Sequence, residues 1–196
     1  HDMGELADGR RYYVMKLVIG ETLAQRLAAA MPARDGLRAF VRVCEAVAFA
    51  HAHGVIHRDL TPRNVMLGAF GDVLVLDWGV AKHRHAGVAR VAPHVATATG
   101  GTQDGVGLGT PGYMAPEQVL GRKVDARSDL FSIATIYHEM LTGQHPFRGD
   151  HPMAVMYSIR NETPKPLKLQ STDCPVELQG VLDQAFQKEM DKRFAD

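Results

Sequence analysis

Five side chains able to bind, donate or accept crowd into eight positions of this chain: His57, Arg58, Asp59, Arg63 and Asn64. Asp59 and Asn64 present a carboxylate and an amide oxygen five positions apart, donors that suit a proton acceptor and a hard-cation ligand. Further on, Val73-Leu74-Val75-Leu76 runs into Asp77, Trp78 and Gly79. A β-forming run thus delivers a second carboxylate at its end. His51, His53 and His57 invite a zinc reading, but a helix is expected to end between them. No carboxylate or thiol joins them at ligand spacing. The pattern points instead to proton acceptance beside a cation held by oxygen.

Periodicity and turn residues say what must hold these groups. Val55-Ile56 and Val65-Met66-Leu67 flank the loop as short β-like pieces, and residues 65–67 are expected to pair with 73–76 across Gly68-Ala69-Phe70-Gly71-Asp72. Upstream, Leu37, Phe40, Val41, Cys44, Val47, Ala48 and His51 recur at spacings of three and four. They predict a helix that Asp35 caps and Gly54 stops. A shorter alanine- and leucine-rich helix is expected over 21–30. Before it, residues 1–6 and 11–18 read as two strands around Ala7-Asp8-Gly9-Arg10, where glycine supplies the positive φ of a tight turn. Downstream, Leu130, Ile133, Ala134, Tyr137 and Leu141 share one face of a helix over 128–141 that Gly143 ends. Further helices are expected over 152–159 and 176–187. Residues 82–109 carry no stable period and read as a long loop. Gly107, Gly109 and Gly112 match a phosphate-loop spacing by chance, since no strand precedes them and no helix opens from them.

At 196 residues and 45% hydrophobic composition the chain can bury a core. A formal net charge of zero offers no broad basic field for nucleic acid and no polybasic membrane anchor. Cys44 and Cys174 lie far apart and read as reduced thiols rather than a disulfide. No apolar run reaches the roughly 18 residues of a membrane span. The expectation is a soluble, cytoplasmic chain, with membrane attachment only through regions beyond these residues.

His57-Arg58-Asp59-Leu60-Thr61-Pro62-Arg63-Asn64, then Asp77-Trp78-Gly79, then Ala115-Pro116-Glu117 stand in the order of three motifs. They resemble the H-R-D-L-x-x-x-N, D-F-G and A-P-E motifs of eukaryotic-type protein kinases. The alanine- and valine-rich helices suit a bacterial member. The resemblance implies an α+β, protein-kinase-like fold: a last small-lobe hairpin and hinge over 1–19, and a mainly α-helical large lobe over 20–196. It implies transfer of the γ-phosphoryl of ATP, with Mg2+, to serine or threonine hydroxyls of protein substrates, and no nucleic-acid partner. Asp59 would take the hydroxyl proton, Asn64 and Asp77 would hold magnesium, and Thr110 would hydrogen-bond Asp59. Met15 would stand behind adenine, Lys16 to Val18 would bind it through the backbone, Glu21 would reach the ribose and Met66 would lie beneath the ring. Asp129 would anchor the catalytic-loop backbone, Arg193 would pair with Glu117, and His57 would pack near Trp78. An activation-segment phosphate on Thr97, Thr99 or Thr102 would pair with Arg58, helped by Lys82.

Several positions depart from the family pattern. Thr61 replaces the lysine that serine/threonine kinases use against the γ-phosphate, and Arg63 is the candidate to restore that charge. Trp78 replaces phenylalanine. No Gly-rich loop, V-A-I-K lysine or partner glutamate precedes the hairpin, so these 196 residues alone are expected to transfer little phosphate. The competing expectation is a pseudokinase or truncated regulatory module that docks partners without chemistry.

Overall fold

The computed structural model describes residues 2–6, 8–14, 17–78, 81–83, 110–167 and 177–195. The chain opens with a hairpin, β1 (Asp2–Glu5) against β2 (Arg11–Val14), in antiparallel register from Asp2↔Val14 to Glu5↔Arg11. Gly9 takes φ +81° at its turn, as the Asp8-Gly9 pair predicts. The second strand is described over Arg11–Val14, and Leu17 and Val18 lie in no strand.

The expected helix over 21–30 begins later. Glu21–Thr22 is a strand, β3, and the helix α1 spans Leu23–Ala28. Thr22 and Gln25 satisfy each other's backbone: Gln25 N–H donates to Thr22 Oγ1 at 3.2 Å and Thr22 N–H donates to Gln25 Oε1 at 2.7 Å. This reciprocal cap fixes the start of α1. Helix α2 (Ala33–Ala52) starts at Pro32, so Asp35 is not its cap. Pro32 holds the N-cap position without a side-chain bond to the helix, which leaves Asp35 as a first-turn charge favourable to the helix dipole.

Strands β4 (Val55–Ile56), β5 (Val65–Leu67), β6 (Val73–Val75) and β7 (Lys82–His83) surround the polar loop. One antiparallel sheet has the order β3-β5-β6, with Thr22↔Met66 and Val65↔Val75 in register. The other pairs β4 with β7. The loop is therefore tied down on both sides by strands too short to stand alone.

Helix α3 (Pro116–Val119), helix α4 (Ala126–Thr142), helix α5 (Pro152–Asn161) and helix α6 (Glu177–Ala185) complete the lobe. Every residue from Phe131 to His138 on α4 is buried, the signature of a helix enclosed on all sides rather than lying on a surface. Its Ile133 and Ile136 pack with Leu23, Val43, Val47, Leu60 and Val65. Phe131, Ala134 and Tyr137 pack on the other side with Phe147, Ile159, Leu182 and Phe186. Gly143, at φ +65°, ends the helix in the left-handed conformation. The first of these clusters reaches the polar loop 57–64 through Leu60, so the loop rests on the core itself.

Candidate active site

Asp129, on the buried first turn of α4, sets the loop's geometry. Its Oδ2 accepts from the His57 backbone N–H and its Oδ1 from the Arg58 backbone N–H, both at 2.8 Å. His51 Nε2 lies 2.8 Å from the same Oδ2. Arg58 adopts φ +73°, a left-handed conformation that costs a side-chain-bearing residue about 1–2 kcal/mol. Two clamps offset that strain: the carboxylate bond to its N–H, and a 2.8 Å bond from Gln118 Nε2 to its carbonyl. A hydrogen bond to a charged group contributes about 1.5–3 kcal/mol and a neutral one about 0.5–1.5 kcal/mol, so the two clamps together outweigh the strain. Sequence reading missed Gln118, whose role depends on a contact across sixty positions of chain.

Asp59 follows this strained residue. Its Oδ1 accepts the Thr110 backbone N–H at 2.9 Å, so Thr110 meets the carboxylate, as the resemblance implies, through its main chain. Burial is the main cause that pushes the Asp59 pKa above the ordinary carboxylate range, and the negative charge of Asp77 adds to it. The Thr110 bond and the neighbouring His57 and Asn64 pull the other way. Asn64 Nδ2 donates to the Asp59 carbonyl at 2.8 Å, which leaves the amide oxygen as its ligating atom. The Asn64 carbonyl accepts from Leu76 N–H at 2.7 Å, bringing the end of β6, and Asp77 beyond it, to the loop. Asp77 is exposed and has φ +60°. Aspartate tolerates that conformation better than most residues.

The remaining candidates are placed as follows. His57 is fully buried, with its ring 4.5 Å from Trp78 and Nε2 2.9 Å from the Leu76 carbonyl. It is a packing residue. His53 is bound to the Phe49 carbonyl. Thr61 is buried and its hydroxyl accepts from Arg63 N–H at 3.2 Å, capping the 3-10 turn Pro62–Asn64. Arg63 is exposed and borders a cavity of about 530 Å³ with Thr110, Tyr113 and Glu139. Its charge acts on the Tyr113 phenol. Glu21 lies 3.5 Å from Arg26 and borders a separate cleft with Arg38, Phe70 and Asp72. Met66 pairs with Thr22, and Val18 is half-buried just before that strand. Met15, Lys16, Gly79, Thr97, Thr99, Thr102 and Cys174 lie outside the described residues, as does the Lys82 side chain.

The far wall is pinned by an ion pair. Arg193 Nη1 and Nη2 donate to Glu117 Oε1 and Oε2, each at 2.8 Å, and Ser128 Oγ donates to Glu117 Oε1 at 2.6 Å. The fork-to-carboxylate geometry fixes α3 against α4 and the 3-10 turn Met190–Lys192. Cys44 is half-buried and its thiol is pushed up to about 11 by burial, which makes it an inert packing group. No described helix is long and apolar enough to cross a membrane.

Asp59 is thus tied to Asn64 and to the turn at Thr110, with the charge of Asp77 acting on it. The chain belongs to the protein kinase domain family, whose profile matches residues 5–195. It is similar to the serine/threonine-protein kinase PknB of Mycobacterium leprae, with 35% identity over 93% of this chain and 28% of that protein. A probable serine/threonine-protein kinase of Streptomyces coelicolor is 35% identical over 93% of this chain and 26% of its own length. A probable PknB of Lactococcus lactis is 32% identical over the whole of this chain and 29% of its own. The chain therefore spans under a third of the length of these relatives.

Proposed function

We propose that this chain is catalytic machinery of a serine/threonine protein kinase, transferring the γ-phosphoryl of ATP to protein hydroxyls. The carrying observation is Asp59: a half-buried carboxylate, pKa raised, tied to Thr110 and set beside Asn64 and Asp77. Asp59 orients the acceptor hydroxyl and takes its proton as the phosphoryl leaves ATP. The amide oxygen of Asn64 and the exposed carboxylate of Asp77 form a hard-oxygen donor set that fits Mg2+. The ion would neutralise charge on the phosphate oxygens. Val18 and Met66 would border adenine. Arg63 would supply the cation that Thr61 does not.

The test is phosphate transfer from radiolabelled Mg-ATP to a generic acceptor protein by the full-length protein. Asp59→Asn should lower kcat by roughly 10²–10⁴-fold, the usual contribution of a positioned general base. Transfer at the wild-type rate by that variant would rule the assignment out. Arg63→Ala should lower transfer too, and an unchanged rate would remove Arg63 from the catalytic set.

A further inference from the structure

The cavity of about 530 Å³ that Arg63 borders lies next to the groups around Asp59. Thr110 is part of its wall and gives its N–H to Asp59 Oδ1 at 2.9 Å. Thr61, Pro62 and Arg63 form another part, in the same loop as Asp59. A peptide whose hydroxyl reaches Asp59 therefore carries its neighbouring residues, at about 3.3–3.6 Å each, past the mouth of this cavity. The other walls are largely apolar. Leu27 comes from α1, Met31 from the chain just after it, and Met140 from the last turn of α4.

Two charges share the cavity, and they differ in what already holds them. Glu139 is half-buried, and its Oε2 accepts the Tyr113 hydroxyl at 2.6 Å. Arg63 is exposed, and among the described residues its guanidinium is paired with no carboxylate. Its backbone is nevertheless fixed: Arg63 N–H donates to Thr61 Oγ1 at 3.2 Å within the 3-10 turn Pro62–Asn64. The turn thus presents a guanidinium, still open to a partner, at the edge of an apolar cavity. An entering side chain meets this exposed cation before the half-buried carboxylate. A basic side chain is repelled there and must share Glu139 with Tyr113. A carboxylate finds a planar fork of donors that matches its two oxygens.

We infer that Arg63 is a specificity-determining residue, selecting acceptors with a glutamate or aspartate within about three residues of the phosphorylated serine or threonine. The inference rests on the kinase reading above and names the substrate class of that same site. The short reach of an acidic side chain keeps its carboxylate beside Arg63 and away from Glu139. The apolar walls lower the local dielectric, which strengthens the pair relative to open water. This role is separable from any contact of Arg63 with the phosphates of ATP. Every acceptor shares that contact, whereas only an acidic one gains the pair.

The test is phosphorylation by the full-length protein of three peptides that differ only in the residues flanking one threonine: glutamate, glutamine or lysine. KM for the glutamate peptide should be about five-fold below that of the glutamine peptide, the upper end of what an exposed ion pair contributes. The lysine peptide should have the highest KM, and the glutamate advantage should shrink as salt is added. Arg63→Gln should bring the glutamate and glutamine peptides to one KM, and Arg63→Lys should keep part of the difference. Any other duty of Arg63 cancels from the ratio, since both peptides are compared on one enzyme. Leu27→Glu leaves Arg63 in place and sets a further acid in the cavity, so it should also narrow the advantage and serves as the second variant. Equal KM for the three peptides, a lowest KM for the lysine peptide, or an advantage that survives Arg63→Gln would overturn the inference and leave the kinase reading standing. No transfer by the wild type to any peptide or to a generic acceptor protein would overturn the kinase reading and this inference with it.

Discussion

Asp129 and Glu117 are both buried carboxylates, 1% and 4% exposed, and both pin active-site backbone, yet they are neutralised differently. Asp129 is met by two backbone N–H groups of the loop it orients and by His51. Glu117 is met by the guanidinium of Arg193, brought from the far end of the chain, and by a serine hydroxyl. Fixed dipoles on the loop make Asp129 a transmitter of geometry, because the carboxylate can be satisfied only if the loop backbone is in place. A long side chain makes Glu117 a fastener, because the pair joins two elements without shaping either. A buried charge left without its counter-ion is also far more costly than a dipole left without its acceptor.

The contrast can be broken by substitution. Arg193→Ala should lose about 3–5 kcal/mol of unfolding free energy in urea, the cost of stranding one member of a buried pair, while kcat per folded molecule stays near wild type. A variant as stable as wild type would show that Glu117 finds another partner. Asp129→Asn turns one acceptor oxygen into a donor facing N–H groups, at about 1–3 kcal/mol. Here the larger loss should be in kcat, roughly 10²-fold, since a misplacement of about 1 Å in a positioned group costs that much. If instead stability fell and kcat held, the loop would not depend on its anchor.

Smaller effects sharpen the same comparison. Tyr113→Phe removes the bond to Glu139 and should cost about 0.5–1.5 kcal/mol, read by a fall in Tm with KM for ATP unaltered. Asp59 supplies the opposite sign. Its folded pKa is raised above 3.8, chiefly by burial, so between 3.8 and that raised value the folded state holds more of the proton than the unfolded state does. Stability therefore falls as pH rises through this window, and at neutral pH the ionised carboxylate is a net cost. Asp59→Asn should raise Tm slightly at pH 7 and flatten the decline, and a lower Tm at pH 7 would contradict the burial argument.

Much of this was legible in advance. The loop, the pairing of 65–67 with 73–75, the Gly143 stop and the Asp8-Gly9 turn follow from local chemistry that neighbours in sequence already fix. The reciprocal cap in Thr22-Leu23-Ala24-Gln25 was equally local, and its Thr-x-x-Gln spacing was open to reading. Gln118 on Arg58, His51 on Asp129 and Glu139 under Tyr113 were not, because nothing in the local pattern of a glutamine, a histidine or a glutamate says which distant group it will meet. Arg63 shows the same limit: only folding reveals that its charge also reaches the Tyr113 phenol.

By itself, then, the sequence determined the family, the order of its motifs and the residue types available for chemistry, because motif spacing and hydrophobic period are properties of short stretches. Only the tertiary structure decided which of those residues act together. Asp129 meets His57 and Arg58 across about seventy positions, Thr110 meets Asp59 across 51, and Arg193 meets Glu117 across 76. Contacts at such separations exist only once the buried helix α4 has brought them within hydrogen-bond reach, since loop closure over those lengths is unfavourable until a core repays it.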